Sequence, residues 1–425
     1  MKSSHSILIA TGLVGNVIEW YDFVVYGYFA QVFAKLFFPS HDPVVSLILS
    51  FLTFAVGFLA RPFGALLIGY VADKKGRKPA LVLSIYLMAI PSLLIMVLPT
   101  YHSLGVLSSI ILGILRIFQG LSAGGEYTTS VTFLLEHSHP KRRAFYASIN
   151  LFGAILGILF GSLTATLFHH VFSEEELLSY AWRLIYLPSL VLAYLGVLVR
   201  KRTYETPSFV KEALSPAKGF PLVYAIKHHK KELILTLSLS AVQGVAFFTL
   251  FVYLSTYYNR VLKLPSDKSF LINTIAMLLL DLLIPFVAYL SDKHGRRPFF
   301  LISLSLYALS STFLVNFMLS GDFKNILLAH LAFAFISSLF MSILPATLAE
   351  LFPVKIRGTS FSVLYNTSLA MFGGTVPMVC TYFVEKLNLL TFPGIYLSAV
   401  SAFALLLSFL FLPETNPRNS HEKIS

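Results

Sequence analysis

Apolar runs of about 20 to 30 residues follow one another from residue 7 to residue 412, with only short polar stretches between them. A run of about 20 apolar residues makes a helix long enough to cross the hydrocarbon of a bilayer, and in lipid a helix satisfies its own backbone. Twelve spans are predicted, at 7–35, 44–72, 80–99, 103–135, 143–169, 181–199, 231–259, 268–291, 298–319, 323–351, 358–385 and 391–412. Composition agrees: 12% of residues are charged, against about 25% in soluble domains, and mean hydropathy is +0.76. The expectation is an all-α integral membrane protein. Its first span should persist as a helix, because it is too long for a signal peptide, carries acids and lacks a small-residue cleavage site.

The net charge of +12 raises nucleic acid as a partner until the cations are placed. Numbering the loops from the first span puts Lys74, Lys75, Arg77, Lys78, Lys141, Arg142 and Arg143 on one side. Arg200, Lys201, Arg202, Lys227, Lys230, Lys231, Lys293, Arg296, Arg297, Lys355 and Arg357 join them. The opposite loops hold few cations, chiefly Arg260, Lys263, Lys268, Lys324 and Lys386, and include the acidic "SEEE" at 173–176. The positive-inside rule then puts both termini in the cytoplasm, and the charge reads as an orientation signal. Cys380 is the single cysteine, so no intramolecular disulfide or thiolate cluster is expected, and the histidines show no metal-ligand spacing. No metal or cofactor is expected.

The chain repeats itself. "DKKGRK" from Asp73 returns as "DKHGRR" from Asp292, six spans later. "EHSHPKRR", Glu136 to Arg143, returns as "ELFPVKIR", Glu350 to Arg357, and Glu205 in "YETP" is answered by Glu414 in "PETNP". Markers recurring in fixed order signify a duplicated unit, and two six-helix halves are a transporter architecture. The predicted division is a first half at 1–200, a linker at 201–230 and a second half at 231–425.

Gly69-x-x-x-Asp73-x-x-Gly76-Arg77-Lys78 resembles the loop signature of the major facilitator superfamily, and Ala288-x-x-x-Asp292-x-x-Gly295-Arg296-Arg297 resembles its partner. "EWYDF", "RPFGALLIGYVAD", "RIFQGLSAGGE" and "YETPSF" resemble the superfamily's metabolite:proton symporters, which include proline/betaine, 2-oxoglutarate, citrate and shikimate transporters. The resemblance implies a central cavity lined by helices 1, 4, 7 and 10, a proton gradient as energy source, a bacterial inner-membrane location and a monomer. It also implies that the loop motifs, with Glu136, Arg143, Glu350 and Arg357, form a cytoplasmic latch. The long coiled-coil tail of osmosensing members has no counterpart here, so sensing through such a tail is not expected.

Charges within spans are the candidate site. Glu19 and Asp22 share a helical face near mid-depth, with Tyr26 one turn further on. An ionised acid at the bilayer centre costs about 2.5–3.5 kcal/mol, so such residues face a partner or a cavity. Arg116 lies at similar depth, on one stripe with Gln119 and Glu126, while Arg61 and Glu126 are deeper; Asp281 and Gln243 are the mid-depth polar residues of the second half. The candidate proton-coupling set is Glu19, Asp22, Arg116 and Glu126, and the candidate substrate contacts are Tyr21, Tyr26, Arg116, Gln119, Gln243 and Tyr253. The sequence leaves open which acid carries the proton and which holds Arg116 or Arg61. The function expected is proton-coupled uptake of a small carboxylate-bearing or zwitterionic metabolite.

Two alternatives stand beside it. A proton-coupled efflux antiporter is disfavoured because the Gly-Pro motif of that class is missing from "GAILGILFG", whose Gly153, Gly157 and Gly161 read as a packing face. Gly120-Leu-Ser122-Ala-Gly124 matches the nucleophile pattern of serine hydrolases, but it lies in a helix, without the required strand-turn-helix context.

Overall fold

The structure, a computed structural model, describes residues 5–212 and 221–416, so linker residues 213–220 and the end of the tail lie outside the described residues. Among the described residues there is no strand, and twelve helices are long and apolar enough to cross a membrane. They are α1 (Ser6–Tyr28), α2 (Val45–Lys75), α3 (Arg77–Val97), α4 (Val106–His137), α5 (Pro140–Val171) and α6 (Glu174–Lys201). There follow α7 (Lys230–Arg260), α8 (Lys268–His294), α9 (Arg297–Met318), α10 (Phe323–Glu350), α11 (Val354–Lys386) and α12 (Phe392–Phe411).

Most helix ends fall within a few residues of the predicted spans. The exceptions have local causes. The "SEEE" stretch is not a loop but the start of α6: Ser173 Oγ accepts from Glu176 N at 3.3 Å, and the Glu176 carboxylate accepts from Ser173 N at 2.9 Å. This capping box satisfies backbone donors that the helix leaves unpaired, and acids in the first turn suit its positive end. The first span, predicted as continuous to residue 35, breaks after Tyr28 and resumes as a short helix, Ala30–Phe37. There Phe33 and Phe37 pack edge-on to Trp182, with centroids 5.8 and 5.4 Å away.

The chain forms two compact units, Met1–His137 with Ile149–Pro221 and Ser138–Ser148 with Leu222–Ser425. Residues 138–148, which belong to the first repeat in sequence, are thus grouped with the second unit.

Within the first unit, glycines bring backbones into contact. A Cβ added at Gly64 would lie 2.0 Å from Leu121 O, and one at Gly124 would lie 1.9 Å from Arg61 O. The "GLSAGG" stretch is therefore the seam between α2 and α4. Ser122, on the same helix, donates its Oγ to Ser84 O on α3 at 2.7 Å, and this helical setting rules out the nucleophile-elbow reading. Gly157, read from the sequence as part of a packing face, meets α1, with an added Cβ 2.5 Å from Val17 O.

Candidate functional site

Glu19 and Asp22 are both buried, at 1% and 0% exposure, and each has found a different partner. Glu19 Oε1 lies 3.5 Å from Arg61 Nη1, an ion pair across α1 and α2, and the Glu19 carboxylate accepts no hydrogen bond among the described residues. Arg61 also faces the rings of Trp20 and Phe58, each at 5.7 Å.

Asp22 is joined to Arg116 by a relay. Arg116 Nη1 donates to Gln119 Oε1 at 2.7 Å, Gln119 Nε2 donates to Ser92 Oγ at 2.9 Å, and Ser92 Oγ donates to Asp22 Oδ2. Helical spacing puts Arg116 and Gln119 on one face of α4, while Ser92 reaches in from α3. The direct ion pair between Asp22 and Arg116 that the sequence left open is absent from the described residues. Arg116 Nε and Nη2 and Asp22 Oδ1 remain without a hydrogen-bond partner among them. Three rings surround the guanidinium, with centroids 4.5 Å (Tyr26), 4.8 Å (Phe23) and 5.6 Å (Phe54) away. The result is a buried cation with unused donors, aromatic walls and an acid two hydrogen bonds beyond Gln119.

Tyr26 belongs to this group, and its hydroxyl donates to Ser50 O at 3.3 Å. Tyr21 does not: its hydroxyl donates to Ile185 O at 2.7 Å, which makes it a strut between α1 and α6. Ser92 and Tyr186 were missed by sequence reasoning. Serines are common in transmembrane helices and give no signal of their own, and Tyr186, buried with a hydroxyl unpartnered among the described residues, stands close to the start of the predicted sixth span, where aromatics are ordinary.

Glu126 is set apart from the relay. It is clasped by Arg200 through both oxygens and accepts from Ser84 Oγ. Arg200, counted from the sequence among the cytoplasmic loop cations, is fully buried. A Cβ at Gly15 would meet Glu126 Oε1 at 1.8 Å and Arg200 Nη2 at 2.2 Å, so α1 makes room for this pair. An ion pair so enclosed, with both Glu126 oxygens engaged, links α4 to α6.

In the second unit, Gln243 on α7 is buried and its Oε1 has no partner among the described residues; Asp281 on α8 is buried with Oδ1 likewise unpartnered. Tyr253 ends a π-helical stretch of α7, Thr249–Tyr253, with its ring 6.1 Å from that of Tyr257. His330 is fully buried within α10, with Nδ1 3.0 Å from Tyr258 Oη.

The loop motifs build two similar knots. In the first unit Arg77 lies 3.5 Å from Asp73 and 3.1 Å from Glu136, while the Glu205 carboxylate accepts from the backbone N–H of Arg77 (2.9 Å) and Lys78 (3.0 Å). In the second, Arg296 lies 3.5 Å from Asp292 and is paired with Glu350, and Glu414 accepts from the N–H of Arg296 (3.0 Å) and Arg297 (3.1 Å). Gly76 and Gly295 turn the chain at φ +108° and +97°, which a side chain would strain. The spacing shared by Glu136–Arg143 and Glu350–Arg357 marks equivalent positions in the two repeats: Glu136 holds Arg77, and Arg143 lies 3.6 Å from Glu350. Arg357 Nε donates to Phe352 O at 3.1 Å. Asp292 also accepts from the N–H of Ala144 and Phe145, both at 3.0 Å. Gly69, one turn before Asp73, is buried on α2.

Twelve membrane-spanning helices among the described residues, duplicated loop knots and buried, incompletely paired charges are the features of a transporter. Comparison with known proteins makes the assignment specific: the chain belongs to the major facilitator superfamily. The family model "Sugar (and other) transporter" matches residues 8–218, and "Major Facilitator Superfamily" matches residues 269–425. The chain is 32% identical over 420 residues to the glycine betaine/proline/ectoine/pipecolic acid transporter OusA of Dickeya dadantii, covering 96% of this chain and 83% of that protein. It is 31% identical to the proline/betaine transporter of Salmonella typhimurium, covering 94% and 81%. Among solved structures, the proton:xylose symporter XylE is similar in fold, with a TM-score of 0.81 at 17% identity, covering 96% of each chain. The fucose:proton symporter FucP of E. coli follows, with a TM-score of 0.69 at 14% identity, covering 96% and 98%.

Proposed function

We propose that this protein is a proton-coupled uptake symporter for a small zwitterion of the betaine and proline class, residing in a bacterial inner membrane with both termini cytoplasmic. The observation that carries the reading is the relay from Asp22 through Ser92 and Gln119 to Arg116. The names of the curated relatives support the solute class.

The relay links a proton to a solute as follows. With Asp22 ionised, the Ser92 hydroxyl points to it, and Gln119 holds one arm of Arg116. Protonation from the outside removes the acceptor charge; the Ser92 hydrogen turns to Met88 O, 2.8 Å away, and Asp22 becomes a donor. The solute carboxylate then takes the unused Nε and Nη2 of Arg116 in a planar fork, and its cationic end lies against the rings of Tyr26, Phe23 and Phe54. Alternating access, by rocking of the two repeats with the loop knots as latches, exposes the loaded site inward, where Asp22 releases its proton. A neutral zwitterion carried with one proton moves one positive charge, so an inside-negative potential also drives uptake.

The test is uptake into proteoliposomes of labelled betaine, proline, 2-oxoglutarate, citrate and shikimate, with and without an imposed inward proton gradient. Accumulation of betaine or proline only with the gradient is expected. Uptake of none of the five, or accumulation only with an outward gradient, overturns the reading; the second result would indicate antiport.

A further inference from the structure

A second place in the first unit has the chemistry to hold a zwitterion. A cavity of about 370 Å³ opens beside the end of α1, lined by Tyr28, Gln31, Lys35, His169, Phe172 and Glu174 among others. That volume is within the range of about 300–1,000 Å³ typical of small-molecule sites. Lys35 and Glu174 are paired across it, with side chains 57% and 74% exposed. An ion pair so solvated contributes little to stability, so the fold has no need of it. The walls are aromatic: Tyr28 is 44% exposed, and the His169 ring is stacked on Phe29 at 5.2 Å.

We infer that this cavity is an outer capture site for the transported zwitterion, resting on the function proposed above. A solute carrying a carboxylate and a cationic nitrogen a few ångströms apart replaces the single Lys35–Glu174 contact with two, its carboxylate on Lys35 and its nitrogen between Glu174 and the rings. A purely anionic or purely cationic solute gains one contact and leaves the other charge facing its own sign. Lys35 follows Asp22 by thirteen residues of mostly helical chain, about 20 Å, so this site is distinct from the one at Arg116. With the termini inside, it lies at the outer end of the helices.

The experiment uses the full chain with Cys380→Ser and Gln31→Cys in phosphatidylglycerol vesicles, and follows the rate of maleimide labelling at position 31. Betaine or proline should slow labelling by about threefold relative to sucrose of equal osmolality, and should do so equally with Arg116→Ala, which disables the deeper site. Lys35→Gln or Glu174→Gln should abolish the protection and raise the KM of uptake by about three- to fivefold with kcat unchanged, the effect of one partly solvated charge contact. Absent protection overturns the proposal, as does protection lost with Arg116→Ala, which would report closure around the deeper site. Slowed labelling produced by adding phosphatidylethanolamine without solute also overturns it, since the occupant would then be a lipid headgroup. Protection that persists where neither solute is taken up would instead defeat the transport reading and leave the capture site standing.

Discussion

Ser92 has one hydroxyl hydrogen and two acceptors within reach, Asp22 Oδ2 and Met88 O. This competition makes it a switch point in the relay. Ser92→Ala should take away the hydroxyl that donates to Asp22 Oδ2 and weaken coupling, whereas Asp22→Asn, which cannot ionise, should abolish coupling. The expected result for Asp22→Asn is exchange of labelled for unlabelled solute at a rate near wild type, with no accumulation under a proton gradient. Accumulation at wild-type levels would exclude Asp22 as the proton carrier. Glu126, grouped with Asp22 on sequence alone, differs in kind because Arg200 holds both its oxygens. Arg200→Ala should lower stability by about 3–5 kcal/mol, the cost of stranding a buried charge, read as a fall in the unfolding midpoint of the detergent-solubilised protein. Depth along a helix was legible from the sequence, so both acids were found. Their separate fates were not, because Arg200 is distant in sequence and looks like a loop cation.

At the scale of elements, apolar length located the helices, and small residues located the seams. Gly64 and Gly124 mark the α2–α4 contact, where an added Cβ would fall on a backbone carbonyl at 2.0 and 1.9 Å. Gly64→Ala should therefore push the two helices apart and carry Arg61 away from Glu19. The expected outcome is a destabilised protein, by about 1–3 kcal/mol, whose residual transport is impaired even at temperatures where it remains folded. A thermal midpoint equal to wild type would show that α2 and α4 are not held so closely. What the apolar pattern missed was the start of α6, since three successive acids read as loop until Ser173 and Glu176 are seen to cap the helix.

For the whole molecule, the duplicated knots are the feature with mechanistic reach. Each joins a loop arginine to an acid of its own unit, and each is closed by a carboxylate just beyond the sixth helix of its repeat, Glu205 or Glu414. If the knots gate alternating access, their loss changes the barrier and not the site. Asp73→Asn or Asp292→Asn should slow initial uptake by about tenfold, equivalent to about 1.4 kcal/mol on the rate-limiting step. Equilibrium solute binding, measured on the same preparations, should stay close to wild type. Equal losses in both measurements would assign the knots to folding.

The sequence by itself determined the membrane location, the number of helices, the repeat and the presence of acids and an arginine at mid-depth. Those properties follow from local chemistry: apolar run length, motif recurrence and the cost of a charge in lipid can all be read along one chain. Only tertiary structure decided which charge meets which. Glu19 took Arg61, Asp22 reached Arg116 through Ser92 and Gln119, and Glu126 took Arg200. A partner is selected by helix rotation and by the room that glycines leave at a crossing, and both are fixed only when the helices pack.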